Sequence, residues 1–244
     1  MIAKKQMENA ELAKFCIEKV GVPYVMGTSG RVLTQAMYND LAKRNPGGWF
    51  TLKRQPAVLS WIGRQATDCH GLVEWAIREQ TGETYDTTAD AAYDAATLKG
   101  AIGTIPEMPG VCVRYKGHVG VYIGGGYVVE ARGFDYGTCI TALKGRPWTH
   151  WYMHPKIKYD EKMLPVPSTK KIKKTSDRYS IAWLQLKLNA QIAAGYITGP
   201  ALTVDGVYGS GTAKVTAAYW RKKGWTKENE VWGVGASTIK ALQK

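Results

Sequence analysis

The chain has 244 residues, 45% of them hydrophobic and 22% charged, which supplies one large core or two smaller ones and excludes a disordered polymer. Its formal charge of +13 predicts attraction to a polyanion, and charge alone does not choose among nucleic acid, anionic lipid and the phosphate-bearing polymers of bacterial walls. Four cysteines with no CxxC spacing exclude a zinc ribbon or a dithiol redox pair, and no apolar run is long enough to span a bilayer.

At the start, Lys4 and Lys5 are followed by Glu8 and Glu11, which interrupt any apolar stretch, so no signal peptide is read and synthesis in the cytoplasm is expected. From Met7 to Val20, Leu12, Ala13, Ile17 and Val20 recur at helical spacing with Cys16 among them as a packing residue. A long polar, glycine-containing segment follows. Thr67-Asp68-Cys69-His70-Gly71 then leads into Leu72, Val73, Trp75, Ala76 and Ile77, which predicts a helix with Cys69 in its first turn. Helix amides and the macrodipole favour a thiolate there, so a lowered thiol pKa is expected.

A nucleophilic thiolate needs a base, and His118 is the candidate. The stretch from Lys116 to Arg132 reads as a hairpin around Gly124, Gly125 and Gly126. A loop of about three residues pairs Ile123 with Tyr127, Val121 with Val129 and Val119 with Ala131. Strict alternation then puts the apolar residues on one face and His118, Gly120, Tyr122, Val128, Glu130 and Arg132 on the other. Glu130 falls opposite Gly120 and diagonal to His118, within reach across a place left open by the glycine. Cys69, His118 and Glu130 thus make a self-consistent nucleophile, base and orienting acid. His70 follows the nucleophile directly and is expected to line the substrate pocket, although at helical spacing it points away from Cys69, while His150 and His154 have no carboxylate partner, so no metal site and no cofactor are expected.

Residues 159 to 177, with Pro165, Pro167 and the Lys170, Lys171, Lys173, Lys174 cluster, read as a solvated basic linker. It separates an α+β domain, 1 to 158, from a helical one, 178 to 244. In the latter, Val204-Asp205-Gly206-Val207-Tyr208-Gly209-Ser210-Gly211-Thr212 is echoed by Val231-Trp232-Gly233-Val234-Gly235-Ala236-Ser237-Thr238. Each copy places glycines in a turn that feeds a helix, which suggests a pseudo-symmetric three-helix bundle.

Gly21-Val22-Pro23-Tyr24-Val25-Met26-Gly27, Asp68-Cys69-His70-Gly71-Leu72-Val73 and Gly117-His118-Val119-Gly120-Val121-Tyr122-Ile123-Gly124 together resemble the NlpC-type papain-like cysteine peptidases of bacteria and their phages. The resemblance implies a papain-like α+β fold, with a helix presenting the thiol to an antiparallel sheet that carries the base. It implies peptidoglycan as substrate, cut in the stem peptide between D-glutamate and the diamino acid. Tyr24 would line the pocket near the thiol, and Asp68 would support the helix turn or bind substrate. His70 stands where the family usually has Ser, and Glu130 where it commonly has His, Asn or Gln. The second part, through Trp183 to Asn189 and the glycine repeats, resembles a small peptidoglycan-binding domain, with Tyr208 and Trp220 as its wall-contacting aromatics.

With no leader read, a phage endolysin that reaches the wall after release is the expected setting, with a bacterial remodelling enzyme as the alternative. No membrane insertion is expected, and a nucleic-acid partner, for which charge is the sole signal, is not expected either. Two other readings are an N-acetylmuramoyl-L-alanine amidase using the same nucleophile and a non-catalytic wall-binding protein.

Overall fold

A computed structural model describes residues 6–46, 50 and 53–243, which form two compact units, Met1–Met163 and Leu164–Lys244. In chain order the first holds β1 (Met7–Glu8), α1 (Asn9–Glu18), β2 (Ser29–Val32), α2 (Gln35–Arg44), α3 (Gln55–Leu59), β3 (Gln65–Thr67), α4 (Gly71–Thr81), α5 (Ala89–Asp94), β4 (Lys99–Ala101), β5 (Cys112–Tyr115), β6 (His118–Gly124), β7 (Tyr127–Ala131), β8 (Thr138–Ala142), β9 (His150–Tyr152) and β10 (Ile157–Lys158). Six strands form one antiparallel sheet in the order β4-β9-β5-β6-β7-β8.

The helix predicted from Met7 to Val20 is α1, two residues shorter at each end. It buries Leu12, Ala13, Cys16 and Ile17 and lies against β6 and β7, while α4 packs on α1 through Leu72, Val73, Trp75, Ala76 and Ile77. Each large apolar side chain removed from water in this way contributes about 1.5–3 kcal/mol. The opposite side of the sheet is covered too, because Val113, Tyr122 and Val128 cluster with Trp148 and Trp151. Burial on both faces explains why every residue of β6 is buried, and why the glycine at 120 is required. A Cβ there would lie 2.5 Å from Val128 Cγ1 and 3.0 Å from the Trp148 ring. The place expected to be open beside Gly120 is filled by Trp148.

The hairpin register is as predicted at Val121 opposite Val129, but it shifts beyond Tyr122, where Gly124 rather than Ile123 faces Tyr127. Gly124, Gly125 and Gly126 all adopt positive φ, and this left-handed run takes up the extra residue. The long polar segment after α1 is also more structured than predicted, since it contains β2, α2, α3 and β3.

The second unit holds β11 (Lys171–Lys173), α6 (Arg178–Ala193), α7 (Ser210–Lys222), β12 (Gly233–Gly235) and α8 (Ala236–Ala241), a small three-helix domain with one two-stranded ladder. The glycine repeat has a physical counterpart. Gly209 before α7 and Gly235 before α8 take nearly the same extended conformation, φ −92°, ψ −175° and φ −97°, ψ −176°. Gln185 of α6 ties the first copy down: its Nε2 donates to Asp205 Oδ1, the Val207 carbonyl and Thr212 Oγ1, and its Oε1 accepts from Asp205 and Gly206 N–H.

The expected solvated linker over 159 to 177 is corrected by both units. Asp160 N–H donates to Asn9 Oδ1 and the Asp160 carbonyl accepts from Asn9 Nδ2, while Tyr159 packs against the Trp148–Trp151 cluster. Lys171–Lys173 pairs with Gly233–Gly235, with Ile172 fully buried between two exposed lysines. The lysines keep their heads in water while the alternating isoleucine fills the core.

Candidate active site

The head of α4 is built around Asp68. Its carbonyl accepts from Leu72 N–H, its Oδ1 accepts from Gly71 N–H at 2.7 Å, and its Oδ2 accepts from Gly27 N–H at 2.8 Å. The carboxylate braces the turn that leads into α4, and Cys69 lies in that turn, two residues ahead of Gly71 where the helix proper begins. Gly71 is needed because a Cβ there would sit 2.1 Å from the Thr28 carbonyl oxygen. The loop from Gly27 to Thr28 and the turn that carries Cys69 are therefore locked together.

Cys69 is partly exposed, and its sulfur meets the strand that carries His118. Sγ lies 4.0 Å from the Gly117 carbonyl oxygen and takes a hydrogen bond from Val119 N–H, so the backbone on both sides of His118 faces the thiol. The expected depression of the thiol pKa is not found. Burial, then the neighbouring Asp68 carboxylate, pushes the thiol up to about 12, against the N–H groups of Val119, His70 and Cys69 itself. The helix amides do act on the sulfur, but desolvation outweighs them. Desolvation thus favours the neutral thiol over the thiolate at this position.

His118 is buried with its ring against Tyr115, at 4.9 Å and 30°, and against Trp148, at 5.6 Å and 14°. Its Nε2 is 2.8 Å from Glu130 Oε2. Glu130 is fully buried and also accepts from Thr141 Oγ1 at 2.8 Å and from Arg146 through Nε at 2.8 Å and Nη2 at 2.7 Å. Burial alone would raise its pKa, but the bonds from His118, Arg146 and Thr141 prevail and bring it down to about 2. An ionised carboxylate only accepts, so Nε2 carries the proton in the His118–Glu130 bond and the lone pair of the neutral ring is on Nδ1. Residues predicted from the hairpin thus meet in space, and Thr141, Arg146, Tyr115 and Trp148 complete the surroundings.

Tyr24 is buried, with its ring edge-on to Phe134 at 5.6 Å. Burial, followed by the nearby charges that Cys69 and Asp68 would carry, pushes its phenol far up, so it is a neutral group beside the thiol. His70 does not line a ligand pocket as expected. It is 3% exposed, its Nδ1 is 3.0 Å from Glu74 Oε1, and its ring stacks on His154 at 5.6 Å near Tyr85. The turn directs it inward, away from Cys69. A polar cleft of about 590 Å³ begins at Asp68 and runs past Thr28, Glu74, Arg78 and Tyr85.

In the second unit Tyr208 is a core residue rather than a wall contact. It is fully buried, with its hydroxyl 2.9 Å from the Val231 carbonyl and 3.3 Å from Thr216 Oγ1. Trp220 is partly exposed and donates from Nε1 to Thr238 Oγ1 at 3.0 Å. Trp225 and Trp232, which the sequence reading passed over, are nearly half exposed. Among the described residues no group of three or more His, Cys, Asp or Glu is arranged to hold a metal ion. No described helix is long and apolar enough to cross a membrane.

No family model matches the chain, and no curated protein matches it. Solved structures do. The P60 domain of an antigen from M. avium subspecies paratuberculosis is similar at 18% identity, over 61% of this chain and 96% of that one, with a TM-score of 0.42. NlpC2 from Trichomonas vaginalis is similar at 20% identity over 61% of this chain, with a TM-score of 0.39, and the match spans 49% of its length. The NlpC/p60 domain of the peptidoglycan hydrolase SagA is similar at 14% identity, over 60% of this chain and 99% of that one, with a TM-score of 0.38. All three are NlpC or p60 domains.

Proposed function

We propose that this chain is a peptidoglycan hydrolase that cleaves stem peptides at the bond between D-glutamate and the diamino acid, with Cys69 as nucleophile, His118 as base and Glu130 as orienting acid. The observation that carries the reading is the approach of the Cys69 sulfur to the backbone flanking His118, whose far nitrogen is held by Glu130. The motif resemblance supports peptidoglycan as the substrate.

His118 Nδ1 takes the Sγ proton as sulfur attacks the amide carbonyl carbon, which avoids a free thiolate in a place that disfavours one. The Cys69 N–H and the Tyr24 phenol supply hydrogen bonds to the oxygen that gains charge. The imidazolium returns its proton to the departing nitrogen as the C–N bond breaks. Water, deprotonated by the same ring, then attacks the thioester carbon; the carboxylate departs and the sulfur recovers a proton.

The second unit carries thirteen of the chain's 33 Lys and Arg but only four of its 20 Asp and Glu, a net +9 of the total +13. Such concentration suits retention on an anionic wall, raising the local concentration of the first unit. Trp225 and Trp232 are the aromatic contacts available for it. Action as an endolysin, made in the cytoplasm and released to the wall, is the setting that accords with these parts.

Turbidity of sacculus suspensions tests the proposal. Wild type clears them, while Cys69→Ala binds the sacculi and leaves them intact; clearance by Cys69→Ala at the wild-type rate would refute it.

A further inference from the structure

Glu130 stands beside the base as a buried carboxylate, yet its environment is almost fully occupied by another residue. Arg146, in the loop after β8, makes two charge-assisted bonds to the two oxygens of Glu130, and Thr141 adds a third. The same guanidinium hydrogen-bonds to Tyr115, whose ring stacks on His118, and lies 5.7 Å from the Trp148 ring that stacks on His118 too. A lone carboxylate at 2.8 Å would hold the imidazole in its protonated form, in which it accepts no proton from a thiol. A carboxylate matched by a bidentate guanidinium is a net-neutral acceptor with a fixed direction.

We propose that Arg146 is a positioning residue of this site: by pairing with both oxygens of Glu130 it cancels the carboxylate's charge, so that His118 is oriented by a neutral acceptor and keeps Nδ1 free for the Cys69 proton. The inference rests on the hydrolase reading for its catalytic meaning. It gives a physical role to a glutamate at a position where the resembling family commonly has His, Asn or Gln. Glu130 on β7 and Tyr115 on β5 lie against the ring, Arg146 after β8 bonds Glu130, Cys139 of β8 and Arg132 stand near that pair, and Cys69 meets the backbone on both sides of His118. Lys116 is exposed in the preceding turn, and Asp90 of α5 accepts from Gly117 N–H while paired with Arg114 at 2.6 Å. Among these, Arg146 is the cation bonded to the carboxylate that His118 touches.

Four variants of the full chain test this through the acid limb of the pH–rate profile for sacculus hydrolysis. Arg146→Ala leaves Glu130 uncompensated and moves the limb up by about one pH unit. Glu130→Gln leaves Arg146 uncompensated and moves it down. The double variant removes both charges and returns the limb close to wild type, and it also removes the lone buried charge that could keep either single variant from folding. Arg146→Lys retains the cation and keeps most of the wild-type profile. A uniform loss of rate at every pH in Arg146→Ala, with the limb unmoved, overturns the proposal, as does a double variant whose limb stays displaced. The chain has only four histidines, so the His118 ring is also followed by NMR without substrate, where the same two opposite displacements and the same return in the double variant are expected. Displaced ring titrations in a chain that hydrolyses nothing would remove the hydrolase reading and leave the pairing intact; unmoved titrations would remove the pairing itself.

Discussion

Acidification should expose how strongly Glu130 is held. Its pKa is about 2 in the folded chain against an ordinary 4.5, because the bonds from His118, Arg146 and Thr141 outweigh burial. A depressed folded pKa stabilises the fold fully above the ordinary value, and that stability is lost as the pH falls toward the folded one. The difference corresponds to about 3 kcal/mol, present at neutral pH and lost from about pH 4.5 down to about pH 2. Glu130→Gln has no such titration. It should be less stable than wild type at neutral pH by about 3 kcal/mol, since it leaves the Arg146 guanidinium without its carboxylate. Denaturant unfolding followed by the fluorescence of the nine tryptophans measures both chains across the acid range. The gap between them should shrink by about 3 kcal/mol toward pH 2. Other titrating carboxylates, Asp68 and Asp160 among them, are common to both chains and cancel in the difference. Two curves falling in parallel over that range would refute the reasoning.

Gly120→Ala should cost about 1–3 kcal/mol by overpacking Val128 and Trp148, and it should slow sacculus hydrolysis about 10- to 100-fold by shifting Trp148 off the His118 ring; thermal unfolding and initial rates measure the two effects. Gln185→Leu leaves the N–H groups of Asp205 and Gly206 without their acceptor. It should destabilise the second unit by about 3 kcal/mol, and sacculus retention should fall more than hydrolysis of a soluble muropeptide. Tyr208→Phe should lose about 1 kcal/mol of stability and leave retention unchanged, whereas Trp232→Ala should weaken retention; co-sedimentation with sacculi distinguishes these outcomes.

Much of the site could be read from the sequence because its three central residues sit in local patterns. The helix signal after Gly71 places Cys69, and alternation across one hairpin places His118 and Glu130 on a shared face. The register survives at Val121 opposite Val129 even though the turn is one residue tighter, because the glycine run absorbs the shift outside the part that holds the site. Arg146 and Thr141 were not legible in this way. They reach Glu130 through the pairing of β7 with β8, Glu130 opposite Cys139, and nothing local to residues 141–146 announces that neighbour. The thiol pKa was misjudged because the helix turn shows in sequence, while the burial that outweighs it comes from tertiary packing.

The basic cluster at 170–174 shows a different failure. Charge density suggested a solvated spacer, yet Lys171-Ile172-Lys173 already has the exposed-buried-exposed alternation of a strand. The glycine repeat predicted two helix starts correctly, but it gave no means of seeing that Tyr208 turns inward. An aromatic beside a glycine turn has the same sequence signature whether it faces water or the core.

The central claim is that the Cys69 sulfur opens a peptide bond with His118 taking its proton. Mass spectrometry of fragments released from a purified muropeptide tests it directly, comparing wild type with Cys69→Ala and His118→Ala. Wild type should liberate a new amino terminus on the diamino acid, and both variants should release at least about 1,000-fold less. Equal release of that fragment by Cys69→Ala would contradict the account.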